Sequence, residues 1–496
     1  MEEIRIGTRR EVCWDEFLMD RCEGVQVLMH RPEYRGLALR ADRSWEGNVC
    51  GYPTVVQDGG LARFYYRGAD NSVDENLVPD RRAVRAMQGR FCYAVSTDGG
   101  RSFRRQPAGV TGSGLQPGNN CMFTQEMDNF SVFRDDNPAC PAEERYKGLC
   151  GFCSPEDQHL DLYVSGDGIH FTLKGILADD GAYDSLNVAF WDPQREQYFL
   201  YYRGIHHPGK TGDDGKWHKE DESGKVIRDV RVRTSRDFVH WSEPRQIAFD
   251  RDCPDYQLYT NQVRPYPRAP HVFLGMPTRY TERLEDQSNF PHLPAYRTRR
   301  ALTAMEGRSG YAMTDCVLMT SRDGYTFRRS EEAFLTPGPE CGDNWFYGDC
   351  YPAYGVVETE SDRPGFPNEI SIYVGEGYRC TPIRFQRYAV RLDGFFSWRG
   401  DFKGGVVLTK PVLFEGASLE VNFSTSALGS LRIRLCGEDG APLEGYDSGD
   451  LFGDSVQRTV DFQRPVSALA GTPVRLEISL RDADLYSFRF CPAWIL

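Results

Sequence analysis

The chain has 496 residues, 40% hydrophobic and 13% aromatic, with 49 Gly and 29 Pro, which supplies large cores and suits an all-β protein of many short strands spread over two or three domains. A formal net charge of −13 argues against nucleic acid or an anionic membrane surface as the main partner. No apolar run approaches transmembrane length, Met1-Glu2-Glu3-Ile4-Arg5 opens without a secretory pattern, and 15 scattered Cys fit reduced thiols, so a cytoplasmic location is expected.

Residues 1–40 read as an N-terminal closing segment. Within it, Val25-Gln26-Val27-Leu28-Met29 alternates as a strand does, and pairing with the last structural repeat would remove an open sheet edge. From there one phrase recurs: an inner strand, a turn, an aromatic second strand, and a third strand ending in Ser-x-Asp-Gly-x-x-aromatic. The endings are Ser96 to Phe103, Ser165 to Phe171, Ser235 to Trp241 and Ser321 to Phe327, with a looser copy at Arg391-Leu392-Asp393-Gly394-Phe395-Phe396. Recurrence every roughly 70 to 85 residues, with about four strands per unit, predicts the blades of a propeller. Asp accepts from amides just beyond it while Gly takes the positive φ of a tight hairpin.

The predicted inner and second strands pair as Tyr52–Val56 with Arg63–Gly68, Asn129–Phe133 with Arg145–Leu149, and Asn187–Trp191 with Tyr198–Gly204. Two further units run from Asp255 through Tyr259-Thr260-Asn261-Gln262-Val263, and from Tyr351-Pro352 to Ile370–Gly377. Residues 41–402 therefore read as a five-bladed β-propeller. The alternating strands of 403–496, such as Leu419–Phe423 and Val474–Leu480, read as a β-sandwich. A polar loop at about 205–229 is a surface excursion suited to a lid or a homo-oligomer contact. His206-His207 lies in it without matching metal ligands, and neither a metal nor any other cofactor is called for.

A propeller brings the starts of its inner strands to one central pocket, so polar residues just ahead of them should meet. That position holds Trp45-Glu46, then Asp128, Asp184, Asp255 with Tyr259 and Asn261, then Trp345. Glu46, Asp128 and Asp184 are the candidate catalytic carboxylates: one to donate a proton to a glycosidic oxygen, another to act as nucleophile or base. Trp45, Arg67, Asn129, Asn187, Arg203, Tyr259, Asn261, Trp345 and Glu376 are the candidate contacts to a small carbohydrate.

The five-unit repeat, these carboxylates and the trailing β-sandwich resemble the five-bladed propeller glycoside hydrolases of families 32, 43 and 68. The resemblance implies hydrolysis of a short oligosaccharide or glycoside and assigns roles by position. Glu46 would be the nucleophile or base, Asp128 the transition-state stabiliser and Asp184 the acid. Glu46 and Asp184 reverse the Asp and Glu that those families keep in the first and third blades. The Ser-x-Asp-Gly-x-x-Phe phrases also resemble the Asp boxes of sialidases. A sialidase-like hydrolase, with a Tyr nucleophile and an arginine cluster, and a non-catalytic carbohydrate-binding propeller are the alternative readings.

Overall fold

The computed structural model describes residues 3–49, 51–73, 84–112, 115–125, 127, 129–154, 156–210, 212–218, 221, 226–283, 287–306, 308, 310–379 and 382–492. Among these the chain is nearly all β, with one α-helix, Tyr296–Glu306. The strands form successive, mainly antiparallel sheets, the first three of them meanders in chain order. The first runs Gly51–Asp58, Leu61–Val73, Val84–Ser96 and Arg104–Arg105. The second runs Phe130–Arg134, Tyr146–Cys153, Gln158–Ser165 and Thr172–Ala178. The third runs Val188–Asp192, Gln197–His206, Ile227–Ser235 and Arg245–Gln246.

The fourth unit is split. Arg264–Tyr266, Ala269–Gly275, Met319–Ser321 and Thr326–Arg329 make its main sheet, with Ala248–Phe249 added parallel to the last of them, while Gln257–Leu258, Thr278–Glu282 and Ala312–Cys316 make a smaller one beside it. The fifth sheet runs from Tyr351–Pro352 through Glu369–Glu376 and Ile383–Arg391 to Glu33–Ala41, a strand supplied from the start of the chain.

Four of the repeated turns are built alike. The Ser96, Ser165, Ser235 and Ser321 hydroxyls accept from the amides of Gly100, Gly168, Phe238 and Gly324. The following aspartates, Asp98, Asp167, Asp237 and Asp323, accept from amides two to four residues on, which closes each hairpin locally. The third turn lacks the glycine and forces Phe238 to a φ of 64°. Its ring is buried against Phe133 at 5.8 Å and Tyr198 at 4.9 Å, and that packing offsets the backbone cost.

Each turn also receives a side chain from the sheet before it. Tyr65 of the first sheet donates to the Gly168 carbonyl at 2.9 Å, and Lys147 of the second lies over the Phe238 ring at 5.4 Å. Tyr201 of the third donates to Gly324 O at 2.6 Å, Tyr266 of the fourth to Asp393 Oδ1 at 2.9 Å, and Tyr373 of the fifth returns to Gly100 O at 2.5 Å. The inner strands of the first and fifth sheets bond directly, Val55 N to Tyr354 O at 2.8 Å, and the Tyr354 hydroxyl crosses to Ala189 O of the third at 2.9 Å.

The first 40 residues, read from sequence as one closing segment, divide between two units. Glu33–Ala41 closes the fifth sheet. The strand expected to do so, Val25–Met29, instead pairs with Phe396–Gly400. Ile4–Gly7, Glu11–Val12 and Met19–Glu23 likewise pair with Val412–Phe414, Arg475–Cys491 and Gly405–Thr409. The reason is burial: Ile6, Cys13 and Leu18 share one apolar core with Trp398, Val407, Phe423 and Phe488. The long strands Ser418–Cys436 and Arg475–Cys491 form the spine of this second unit. Asp393, in the loosest copy of the repeat, ties the two units together. It is 0% exposed and accepts from Tyr266, Arg268 and Ser487, with Arg10 at 3.3 Å.

Candidate functional site

Four inner strands begin on strained backbone. Tyr52, Asn129, Gln262 and Cys350 take φ of 47°, 46°, 45° and 59°, in the left-handed region that L side chains avoid. Non-glycine residues in that region cluster where a surrounding structure holds side chains in a functional pose. Here the strained starts surround one group of tyrosines. Tyr52 meets Tyr351 at 6.2 Å, Tyr351 meets Tyr259 at 5.9 Å, and Tyr259 meets Tyr280 at 5.6 Å and Tyr347 at 5.5 Å, between ring centroids. Tyr347 donates to the Tyr259 hydroxyl at 2.7 Å and stands 5.8 Å from Tyr378. Gly348 makes that approach possible, since a Cβ there would lie 2.2 Å from the Tyr378 ring. Tyr52, Arg67, Tyr347, Tyr351 and Tyr378 line a narrow cleft of about 20 Å³. A larger cleft of about 460 Å³, between the second and third sheets around Lys147 and Phe238, shares no residue with it.

The third and second sheets supply the polar groups. Asp184 has a half-exposed carboxylate whose Oδ1 accepts from Asn129 Nδ2 at 3.0 Å and whose Oδ2 lies 3.2 Å from Arg203 Nη2. Arg203 is 5% exposed, donates from Nε to Ala182 O at 2.9 Å, and lies 5.1 Å over the Tyr259 ring. Burial alone would lower its pKa, but Asp184, with the Tyr259 and Tyr52 phenols, carries it upward. Arg228 stands 5.2 Å from both Tyr259 and Tyr280, and Arg308 stands 5.9 Å from Tyr280. Tyr280 donates to Glu282 Oε1 at 2.8 Å. Burial pushes the phenols of Tyr52, Tyr280, Tyr347 and Tyr351 up, so they serve as neutral donors and apolar faces.

The residues singled out from sequence fall into three groups. Arg67, Asn129, Asp184, Arg203 and Tyr259 meet at this centre, with Arg67 lying 4.8 Å over Tyr52. Asp128 lies outside the described residues. The others take structural partners. Glu46 is 0% exposed and accepts from Arg105 at 2.8 and 2.7 Å, from Tyr66 at 2.5 Å and from the Arg43 amide at 2.8 Å. Trp45 donates to Asn120 at 2.8 Å. Asn187 bonds Tyr183 O and Ser185 O, and Asn261 accepts from the Val263 amide. Trp345 donates to Gly338 O at 2.9 Å, and Glu376 accepts from Tyr388 at 2.5 Å. Asp255 reaches a histidine of the polar loop: His206 sits between Asp229 and Asp255, and His207 between Asp213 and Asp221.

Sequence reasoning passed over Tyr52, Tyr347, Tyr351 and Tyr378 as site residues, and Asp349. Their signal was present in the matching Tyr52-Pro53 and Tyr351-Pro352 pairs that open the first and fifth inner strands. Asp349, two residues before Tyr351, is 2% exposed, and burial pushes its carboxyl up to about 7. Its Oδ2 accepts from the Phe346 amide at 2.8 Å, closing the turn that presents Tyr347 and Gly348 to the centre.

No protein-family model matches the chain, and no curated protein matches it. Among solved structures it is similar to an N-acetylgalactosamine deacetylase from F. plautii in complex with blood group B trisaccharide, at 13% identity over 75% of this chain and 97% of that one, with a TM-score of 0.44. It is also similar to a structure from work on the GH130 family of mannoside phosphorylases, at 14% identity, 73% and 94% coverage and a TM-score of 0.39. A glycosyl hydrolase from Bacteroides ovatus shows 14% identity, 77% and 93% coverage and a TM-score of 0.37. Likeness of this degree says nothing of substrate or mechanism.

Proposed function

We propose that the five sheets are the blades of a five-bladed β-propeller, joined to a β-sandwich, and that the chain is a glycoside hydrolase acting on a short oligosaccharide or glycoside at the tyrosine-lined centre. The ring of contacts that returns from Tyr373 to Gly100 supports the five-fold closure. The observation that carries the functional reading is convergence. Side chains from all five units meet around Tyr259: Tyr52 and Arg67, Asn129, Asp184 and Arg203, Tyr280, then Tyr347 and Tyr351. Aromatic faces with one held carboxylate are what sugar binding and acid–base attack on an acetal need.

Both Asp184 oxygens face N–H donors, so its place suits an acceptor, the nucleophile or base, and not the proton donor implied by the family resemblance. Glu282, beside Tyr280, stands as the candidate for the acid. Glu46, sealed by Arg105 and Tyr66, acts by holding the Trp45 turn in place. The Tyr280 and Glu282 pair is the arrangement a sialidase-like mechanism would use, but burial that pushes the phenol up makes a nucleophilic tyrosinate costly.

The test is sugar release across a panel of aryl glycosides and short oligosaccharides, by the wild type and by Asp184→Asn. Turnover on at least one substrate, reduced about a hundredfold or more in the variant with a melting transition of unchanged cooperativity, is the expected result. Wild-type rates in the variant would reassign the nucleophile. Binding of sugars without release would favour a non-catalytic propeller.

A further inference from the structure

The centre is electropositive in an acidic protein. Along one side of it arginines and tyrosines alternate: Arg203, Tyr259, Arg228, Tyr280, Arg308, each guanidinium 5.1 to 5.9 Å from the next ring. Three cations there meet two carboxylates, Asp184 beside Arg203 and Glu282 at 3.9 Å from Arg308. Arg228, between them, is 7% exposed, donates to the neutral Gln257 amide oxygen, and has no ion-pair partner among the described residues. Arg203 Nη1 is buried without a hydrogen-bond partner among the described residues. The tyrosine faces steady these guanidiniums but offer no counter-ion. A buried, uncompensated guanidinium is expensive, and its fork of donors matches the oxygens of a carboxylate or a sulfate.

We propose that the sugar bound at this centre carries an acidic substituent, a carboxylate or a sulfate ester, received by Arg228 and Arg203 Nη1 against the Tyr259 face. A neutral hydroxyl would take a hydrogen bond there and leave the charge uncompensated. This deepens the glycosidase reading and rests on it for the site, but binding tests it separately from turnover.

The experiment is calorimetric titration of the wild-type protein with S-linked methyl glycosides, which resist hydrolysis: hexuronides, 6-sulfated hexosides and their neutral parents. At least one acidic ligand should bind tenfold or more tightly than its neutral parent and weaken as salt is raised; which acid prevails decides between carboxylate and sulfate. Arg228→Met should abolish that preference, weakening acidic ligands far more than their neutral parents. Arg228→Lys, which keeps the charge and loses the fork, should restore part of it, and Arg308→Gln at the solvent end should lower it less. Equal affinity for neutral and acidic members, or binding of neither acid, overturns the inference. Neutral glycosides turned over with no acidic preference would do so while leaving the glycosidase reading intact. Acid-selective binding without any hydrolysis would do the reverse.

Discussion

The buried Asp349 carboxyl should make stability fall as pH rises through neutrality, and Asp349→Asn should remove that fall. Its Oδ1 has no hydrogen-bond partner among the described residues, while Oδ2 has the single Phe346 amide. Burial pushes its pKa from 3.8 to about 7, the Glu376 carboxylate adds to the rise, and the Phe346 amide and Arg299 oppose it. Between those two values the folded protein holds a proton that the unfolded chain has released. The protonated form therefore favours folding at low pH, and the advantage disappears as pH climbs through the folded value. At about 1.4 kcal/mol per tenfold change in proton affinity, the swing between about pH 5 and about pH 8 is roughly 2.5 kcal/mol, out of a ceiling of about 4. Urea denaturation of both proteins at several pH values measures it. Any fixed effect of the amide is the same at every pH, so the difference in slope isolates the carboxyl: the variant should gain on the wild type as pH rises. Parallel curves across that range would refute the reasoning, by showing that Asp349 ionises in the fold as it does in the unfolded chain.

Two further outcomes follow from the frame around the site. Asp393→Ala strips one carboxylate from Arg268, Tyr266, Ser487 and Arg10 at the junction of the two units, and should cost about 3 to 5 kcal/mol in chemical denaturation, the loss typical of breaking a buried charge network. Tyr201→Phe leaves the Gly324 carbonyl without its donor and should cost about 1 kcal/mol, with Tyr65→Phe and Tyr373→Phe costing similar amounts if the inter-sheet contacts are equivalent. A loss near zero in all three would mean that these hydroxyls do not bind the sheets together.

The repeat and its turns were legible in the chain because the interactions that make them are local. Ser165, Asp167 and Gly168 complete their hairpin within a few residues, so the spacing of those types carries the structure with it. The N-terminal strand was misplaced because the alternation of Val25–Met29 reports that a strand forms without naming its partner. The candidate site was half legible for a related reason. Asp184 and Arg203 lie 3.2 Å apart in one unit and could be read from its plan. Glu46 was read as an open carboxylate because its partner, Arg105, is 59 positions away and enters from the outer strand of the same sheet.

Residue order alone thus set the turn chemistry and the Tyr-Pro openings of two inner strands, since these depend on backbone conformation and neighbours a few residues distant. Which carboxylates face the centre, which are sealed in ion pairs, and that arginines and tyrosines alternate across Tyr259 and Tyr280 were decided by the assembled fold. Burial, desolvation and charge pairing are properties of where a side chain ends up among groups from other sheets, and no local pattern in the chain encodes those distances.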